Sequence, residues 1–66
     1  MQYTADFVID GDKYRVPHWP KEAFVYWGWI YNDNKNRFAD GTRIHTSQVV
    51  TETEEYITTM NSVYRK

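Results

Sequence analysis

His18 and His45 are the only histidines in the chain, and histidine is the side chain that most often passes a proton near neutral pH. For nucleophilic catalysis one of them would need a neighbouring hydroxyl and an orienting acid. Ser47 and Ser62 lack the glycine-framed turn that exposes a serine for attack. His45 therefore reads as an exposed strand residue beside Thr46, and His18 as a turn residue. Glu54 and Glu55 are paired carboxylates, but adjacent residues on a strand point to opposite faces, so they read as a solvated turn. Asp33, Asp40 and the intervening asparagines lack the spacing and the closing bidentate acid of a calcium loop. Without cysteine, two histidines make a poor structural zinc site. No catalytic residue, metal ligand or cofactor is expected, and the chain is not expected to be an enzyme.

What remains is aromatic chemistry. Tyr26, Trp27, Trp29 and Tyr31, with Phe38, could form a stacking platform for nucleobases, with Lys35, Arg37 and Arg43 at its rim for phosphates. The same rings could instead be core, or a surface that docks a protein, since tryptophan, tyrosine and arginine most often dominate binding energy. Charge is balanced and both arginines have acids nearby in sequence, which favours core or protein interface. Trp27, Trp29, Tyr31, Arg37 and Arg43 are the expected partner-binding residues. A protein is the first expected partner and a nucleotide or single-stranded nucleic acid the alternative.

The elements that must position these residues are strands. Tyr3, Ala5, Phe7 and Ile9 alternate with Thr4, Asp6, Val8 and Asp10, the period of a half-buried strand. Asp10-Gly11 is a hairpin-type turn, and Lys13 to Val16 resumes the alternation, which predicts an amino-terminal hairpin. Pro17-His18-Trp19-Pro20 must end it, because proline cannot donate to a ladder. Phe24 to Tyr31 predicts a strand apolar on both faces, with Phe24, Tyr26, Gly28 and Ile30 on one and Val25, Trp27, Trp29 and Tyr31 on the other. A chain this short has difficulty covering both faces, so one is expected to meet a second copy or a partner, against the alternative that loops fold over it.

Asn32 to Asn36 is a loop by composition, and Asp40-Gly41 is a second turn with Gly41 at positive φ. Thr42 to Val50 then predicts a strand with Ile44, Thr46, Gln48 and Val50 opposite Arg43, His45, Ser47 and Val49. After the acidic turn at 52–55 the tail is ambiguous. Tyr56 to Thr59 are strand formers, whereas Thr51 and Glu54 fit a capping box and Ile57, Met60 and Tyr64 have helical spacing.

Sixty-six residues make one small domain, residues 1–66, whose core rarely supplies more than about 3–5 kcal/mol. With 18% aromatic residues and no disulfide, dense aromatic packing or self-association must add stability, and a homo-oligomer is expected. A net charge of −1 lacks the electrostatic footprint for duplex DNA. No apolar run approaches the ~20 residues that span a bilayer, and Met1 to Ile9 has no signal-peptide pattern. A cytoplasmic location in a host cell, away from membranes, is the expectation.

The segment Arg37-Phe38-Ala39-Asp40-Gly41-Thr42-Arg43-Ile44-His45-Thr46-Ser47-Gln48-Val49 forms a pattern with upstream Gly28-Trp29-Ile30-Tyr31 and downstream Thr59-Met60-Asn61-Ser62-Val63-Tyr64-Arg65. It resembles short bacteriophage and prophage accessory proteins, in which R-F-x-D-G-T, T-S-x-V and S-x-Y segments recur. The likeness covers roughly the last forty residues, from Gly28 onward, and leaves out the amino-terminal hairpin. It implies a small protein that binds and inhibits a host factor, such as a defence system, or captures a signalling nucleotide, and it carries no functional residue over. The expected fold is mainly β: a small antiparallel sheet of four to five strands, a meander or partial barrel, with a carboxy-terminal segment that could be helical.

Overall fold

The structure, a computed structural model, describes residues 3–66; Met1 and Gln2, the start of the segment read as lacking a signal peptide, lie outside it. Strands β1 (Ala5–Ile9), β2 (Trp27–Tyr31), β3 (Thr42–His45), β4 (Val49–Glu52), β5 (Tyr56–Thr59) and β6 (Val63–Arg65) follow in chain order. They form one six-stranded sheet in the order β3-β2-β1-β6-β5-β4. Neighbours are antiparallel except β1 and β6, which run parallel with Ala5 beside Tyr64.

That order dictates curvature. Only residues 46–48 separate β3 from β4, a reach of at most about 14 Å at ~3.5 Å per residue. In a flat sheet the two edge strands would stand about 24 Å apart, at ~4.8 Å per spacing. The sheet must therefore bend enough to bring the end of β3 and the start of β4 within that reach. Following the pair directions around the sheet also makes β3 and β4 parallel, so the chain runs on through the corner and exchanges partners there. Thr46 builds the corner: its N–H donates to the Tyr26 carbonyl (2.9 Å), and its Oγ1 accepts from the Tyr26 N–H (3.1 Å) and donates to the Ser47 carbonyl (2.8 Å). Beyond it the Val49 N–H bonds the Phe24 carbonyl and the Met60 N–H bonds the Gln48 carbonyl, both at 3.0 Å. The result is one bent, mixed six-stranded sheet.

Three expectations are corrected. The sheet is mixed and has more than four to five strands, because 42–50 breaks at the corner and Val63–Arg65 adds a strand parallel to β1. Lys13 to Val16 does not pair with β1; β2 occupies that edge, and the segment keeps only an isolated bridge between Tyr14 and Val25. The carboxy-terminal segment is two strands and a turn, not a helix. Thr53 Oγ1 accepts from the Glu55 and Tyr56 N–H groups and closes a hairpin, where a helix would have used Thr51 as its cap. Thr59 closes the next turn onto Ser62 through both its N–H and its hydroxyl.

Within the sheet the alternation of the sequence holds. Ala5 and Phe7 of β1, Tyr26 and Ile30 of the β2 segment, Val49, Ile57 and Tyr64 make the core, with Ile9, Phe24 and Ile44 packed against it. Phe7 lies 5.4 Å from the Tyr64 ring, and Phe24 meets Tyr26 edge-on at 5.5 Å. Gly28 is the close approach: a Cβ there would collide with the Val8 carbonyl oxygen and stand 2.8 Å from Phe7 Cζ. The corner inverts the expected phase of the next stretch, so Val49 is buried and Val50 exposed. Gly41 has φ 83°, as the turn requires, and Asn32 and Asn36 each adopt φ 54°.

Thr46 is 1% exposed, so Thr46→Val keeps the shape but takes away the acceptor of the Tyr26 N–H. The expected loss is about 1–3 kcal/mol, read as a lower urea midpoint at unchanged m-value. Thr46→Ser, which keeps the hydroxyl, should lose clearly less.

Candidate functional site

The outward side chains of β1, β2 and β3 fall into rows set by register. Val8 of β1, Trp29 of β2 and Arg43 of β3 lie side by side, as do Trp27 and His45, and Tyr31 faces Asp6. Such cross-strand neighbours touch on the shared face. The Arg43 guanidinium stacks on the Trp27 ring at 4.8 Å and bonds Asp10 at 3.0 Å. Trp27 also meets the His45 ring at 4.9 Å, steeply tilted. Val8 is 52% exposed and Tyr31 39%, while Trp27 and Trp29 are half-buried. The expected site residues Trp27, Trp29 and Arg43 are thus brought together, with Tyr31 at one end of the face.

Arg37 stands apart from this set. Its Nε bonds the buried Asp33 carboxylate at 3.3 Å, its N–H bonds the same group at 2.9 Å, and its guanidinium lies over Phe38. Asp33 also accepts from the Lys35 N–H at 3.1 Å. Arg37 is a brace of the 32–41 loop.

The other end of the outer face is covered by the segment after β1. Tyr14 exchanges backbone bonds with Val25, both at 2.9 Å, and the Arg15 guanidinium bonds the Lys21 carbonyl. Between them Val16, Pro17, His18 and Trp19 make a turn closed by the Trp19 N–H on the Val16 carbonyl, 3.2 Å. Proline at its second position and a positive φ at its third are the marks of a type II turn. That third residue is His18, with φ 72°, where glycine or asparagine is usual. The turn sets Trp19 over the sheet, leaving a groove of about 180 Å³ lined by Tyr14, Val16, Trp19, Val25, Trp27 and His45. His45 Nδ1 is 2.9 Å from the Thr46 carbonyl; a carbonyl only accepts, so Nδ1 donates there.

On the outer face of 24–31 Val25 is buried and Trp27 and Trp29 are half-buried, whereas Tyr31 and the neighbouring Val8 are exposed. No protein-family profile, no curated protein and no solved structure matches the chain.

Sequence reasoning left Val8, Tyr14, Val16, Trp19 and His45 out of the site. Val8 was legible as the apolar residue on the polar side of the first strand. Trp19 was legible only as a large ring held between prolines, which does not say where the turn folds. Ser47 accepts a bond from Asn61, and Ser62 sits buried in the β5–β6 turn; neither is near a histidine-based arrangement.

Titration follows from the braces. Burial works against the Asp33 anion, but the Lys35 N–H and the Arg37 side chain and N–H outweigh it and hold its pKa below the usual carboxylate value. Asp6 is lowered by hydrogen bonds from Arg65 and Asn32, and Glu52 by Lys66 against the cost of burial. Tyr26, which donates to Glu52 at 2.7 Å, is pushed up to about 12 by burial and then by that carboxylate. Carboxylates with depressed folded pKa values contribute stability that is complete above their unfolded range and lost as pH falls through about 4 and below. The melting temperature should therefore hold near neutrality and drop below about pH 4. Asp33→Asn, which keeps the size but removes the charged acceptor, should cost about 1.5–3 kcal/mol at neutral pH and flatten the acid limb. A melting curve at each pH, for both chains, decides it.

Proposed function

We propose that the chain is a small binding protein of the phage inhibitory type, which captures a host protein, a defence component being the favoured class, on the outer face of β1, β2 and β3. The observation that carries this reading is Trp29. Half-buried, it sits in register between Val8 and Arg43 on an aromatic face where Val8 and Tyr31 are exposed. A central aromatic with an arginine beside it and weaker contacts around it is how binding energy concentrates at protein interfaces.

A nucleotide-stacking role is less well supported. Phosphate recognition needs free cations, and Arg43 is paired with Asp10 while Arg37 is paired with Asp33. Protein contact asks less of the guanidinium, which can keep its acid partner and still present a flat face. Affinity on such a surface should rest on desolvated aromatic area and change little with salt. A second copy of the chain is the competing occupant of the same face.

The test is a substitution that touches only the exposed face. Val8→Lys replaces an outward, half-exposed residue, so stability should stay within about 0.5 kcal/mol. Trp29→Ala removes the centre. Capture of a host protein from lysate should fall at least tenfold with either variant relative to the unmodified bait, at matched folded concentration. Light scattering on the same three proteins reports the competing occupant. A dimer abolished by Val8→Lys, with no host protein lost, would assign the face to self-association. Nucleotides should leave the melting temperature unchanged, because a ligand of the folded state would raise it by mass action.

A further inference from the structure

Strand β3 is an outer strand of the sheet, and the phase of its ladder to β2 decides which backbone groups it shows to water. The Thr46 N–H donates to the Tyr26 carbonyl at 2.9 Å, and the register carries that bonded pairing two residues on to Ile44 and Gly28. Arg43 and His45, opposite Trp29 and Trp27, are then the non-bonded positions. Their N–H and C=O groups point away from β2. None of these four groups has a hydrogen-bond partner among the described residues. The other outer strand, β4, is blunted: its register to β5 shifts between Val49 and Thr51, and the Val49 N–H is taken by the Phe24 carbonyl at 3.0 Å. β3 has an unbroken register and no proline, and it touches no strand but β2.

A row of outward donors and acceptors is matched by another strand, and this edge matches itself. Two copies laid antiparallel about a two-fold axis at Ile44 set Arg43 opposite the partner's His45 on both sides of the axis. All four outward groups of each copy are then used, in four N–H to carbonyl bonds. Moving the axis to Arg43 sets two guanidinium groups opposite each other, which is unfavourable, and moving it to His45 runs Arg43 past the corner at Thr46; either keeps only two of the four bonds. Ile44, half-buried against the core, meets its own copy at the axis. We propose that two copies of the chain pair through their β3 edges, antiparallel and centred on Ile44, into one continuous sheet. The axis of such a pair stands perpendicular to the sheet, so both Trp29 faces lie on the same side. The pairing uses edge backbone and involves neither Val8 nor Trp29, so it does not rest on the docking reading.

The experiment combines sedimentation from micromolar to millimolar protein with amide hydrogen exchange at both ends of that range. A ladder this short makes a weak dimer, so assembly is expected at high micromolar concentration. The Arg43 and His45 amides should exchange freely in dilute protein and slow about tenfold or more where the dimer forms, while Ile44 stays protected throughout. His45→Pro removes an outward donor and no bond to β2, and should raise the dissociation constant about tenfold or more. His45→Arg sets like charges opposite and should weaken the dimer at least about threefold, whereas His45→Glu sets an acid opposite the partner's Arg43 and should tighten it. If a variant fails to fold, the two amides of the unmodified chain decide alone. A chain that stays monomeric to millimolar concentration, or a dimer that leaves those amides unprotected, would overturn the proposal. Equal affinity of His45→Arg and His45→Glu would overturn the register. A dimer that Val8→Lys dissolves would move the association to the Trp29 face, whereas capture of a host protein there is unaffected by either result.

Discussion

The bend of the sheet rests on a corner of three residues, Thr46 to Gln48, where the strand that has paired with β2 releases it and takes β5. A corner in a buried strand exposes backbone groups to an apolar interior, and each must find a partner. Thr46 solves this locally. Its hydroxyl accepts the bond from Tyr26 that a straight ladder would have supplied from backbone, and donates to the next carbonyl. Valine has the same outline without the oxygen, so the requirement is chemical rather than steric. The far side of the bend is held differently, by the Tyr26 hydroxyl and the Lys66 ammonium on the Glu52 carboxylate at 2.7 and 2.6 Å. Tyr26 thus contributes its backbone to one side of the bend and its phenol to the other.

Bending a sheet of such short strands leaves a narrow interior, and the packing shows it. Phe7 and Tyr64 meet across the parallel β1–β6 pair, and the Phe7 ring takes the space that a side chain at position 28 would need. There is no room for a tryptophan inside. The outer surface must then carry the remaining aromatic area, and the 10–23 segment divides it. That segment is not a strand, since its prolines and its turn forbid one, yet the Tyr14–Val25 bridge and the Arg15–Lys21 contact fix it against β2. One end of the outer face becomes a walled groove and the other stays open.

Most of the strand content was legible because period-2 alternation reports directly on which side chains face in. Ala5, Phe7, Tyr26 and Ile30 are all inward as their spacing required. Turn positions were legible where one residue type is nearly obligatory, as at Gly41. What alternation cannot report is which strand lies beside which. The first strand was expected to pair with 13–16 because they are neighbours in sequence and share a turn; the more apolar 27–31 segment claims that edge. Nor can it see a corner, since Thr46 fits an alternating strand as well as it fits a kink, and the inverted phase of Val49 and Val50 follows from geometry that has no local signature. The tail was ambiguous because its apolar residues satisfy both periods. Its β-branched run and the Thr53 and Thr59 side-chain bonds decide for strand and turn. Of the candidate site, the β2 residues were legible as a set. Arg37 stands apart from that set because it braces Asp33, whose burial has no signal in the neighbouring sequence.

The placement of the tryptophans bears on whether the outer face exists for stability or for contact. Trp19, Trp27 and Trp29 all lie outside the core cluster, although their burial would give the largest gain available to a chain whose core is small. Stability could be served on the outside if loops covered them, and for Val25 they do. Trp29 is only half-buried, and Trp19 is 41% exposed at the tip of a turn that holds His18 at a φ costly for any residue but glycine or asparagine. A turn shaped only to protect the sheet would lay Trp19 flat on Val25 and place glycine behind it. This one is stiffened on both sides by proline and leaves a ring-sized gap between Trp19 and the sheet. The chain thus places rigid aromatic area outside its core, held there by the two prolines and the His18 turn rather than by core packing.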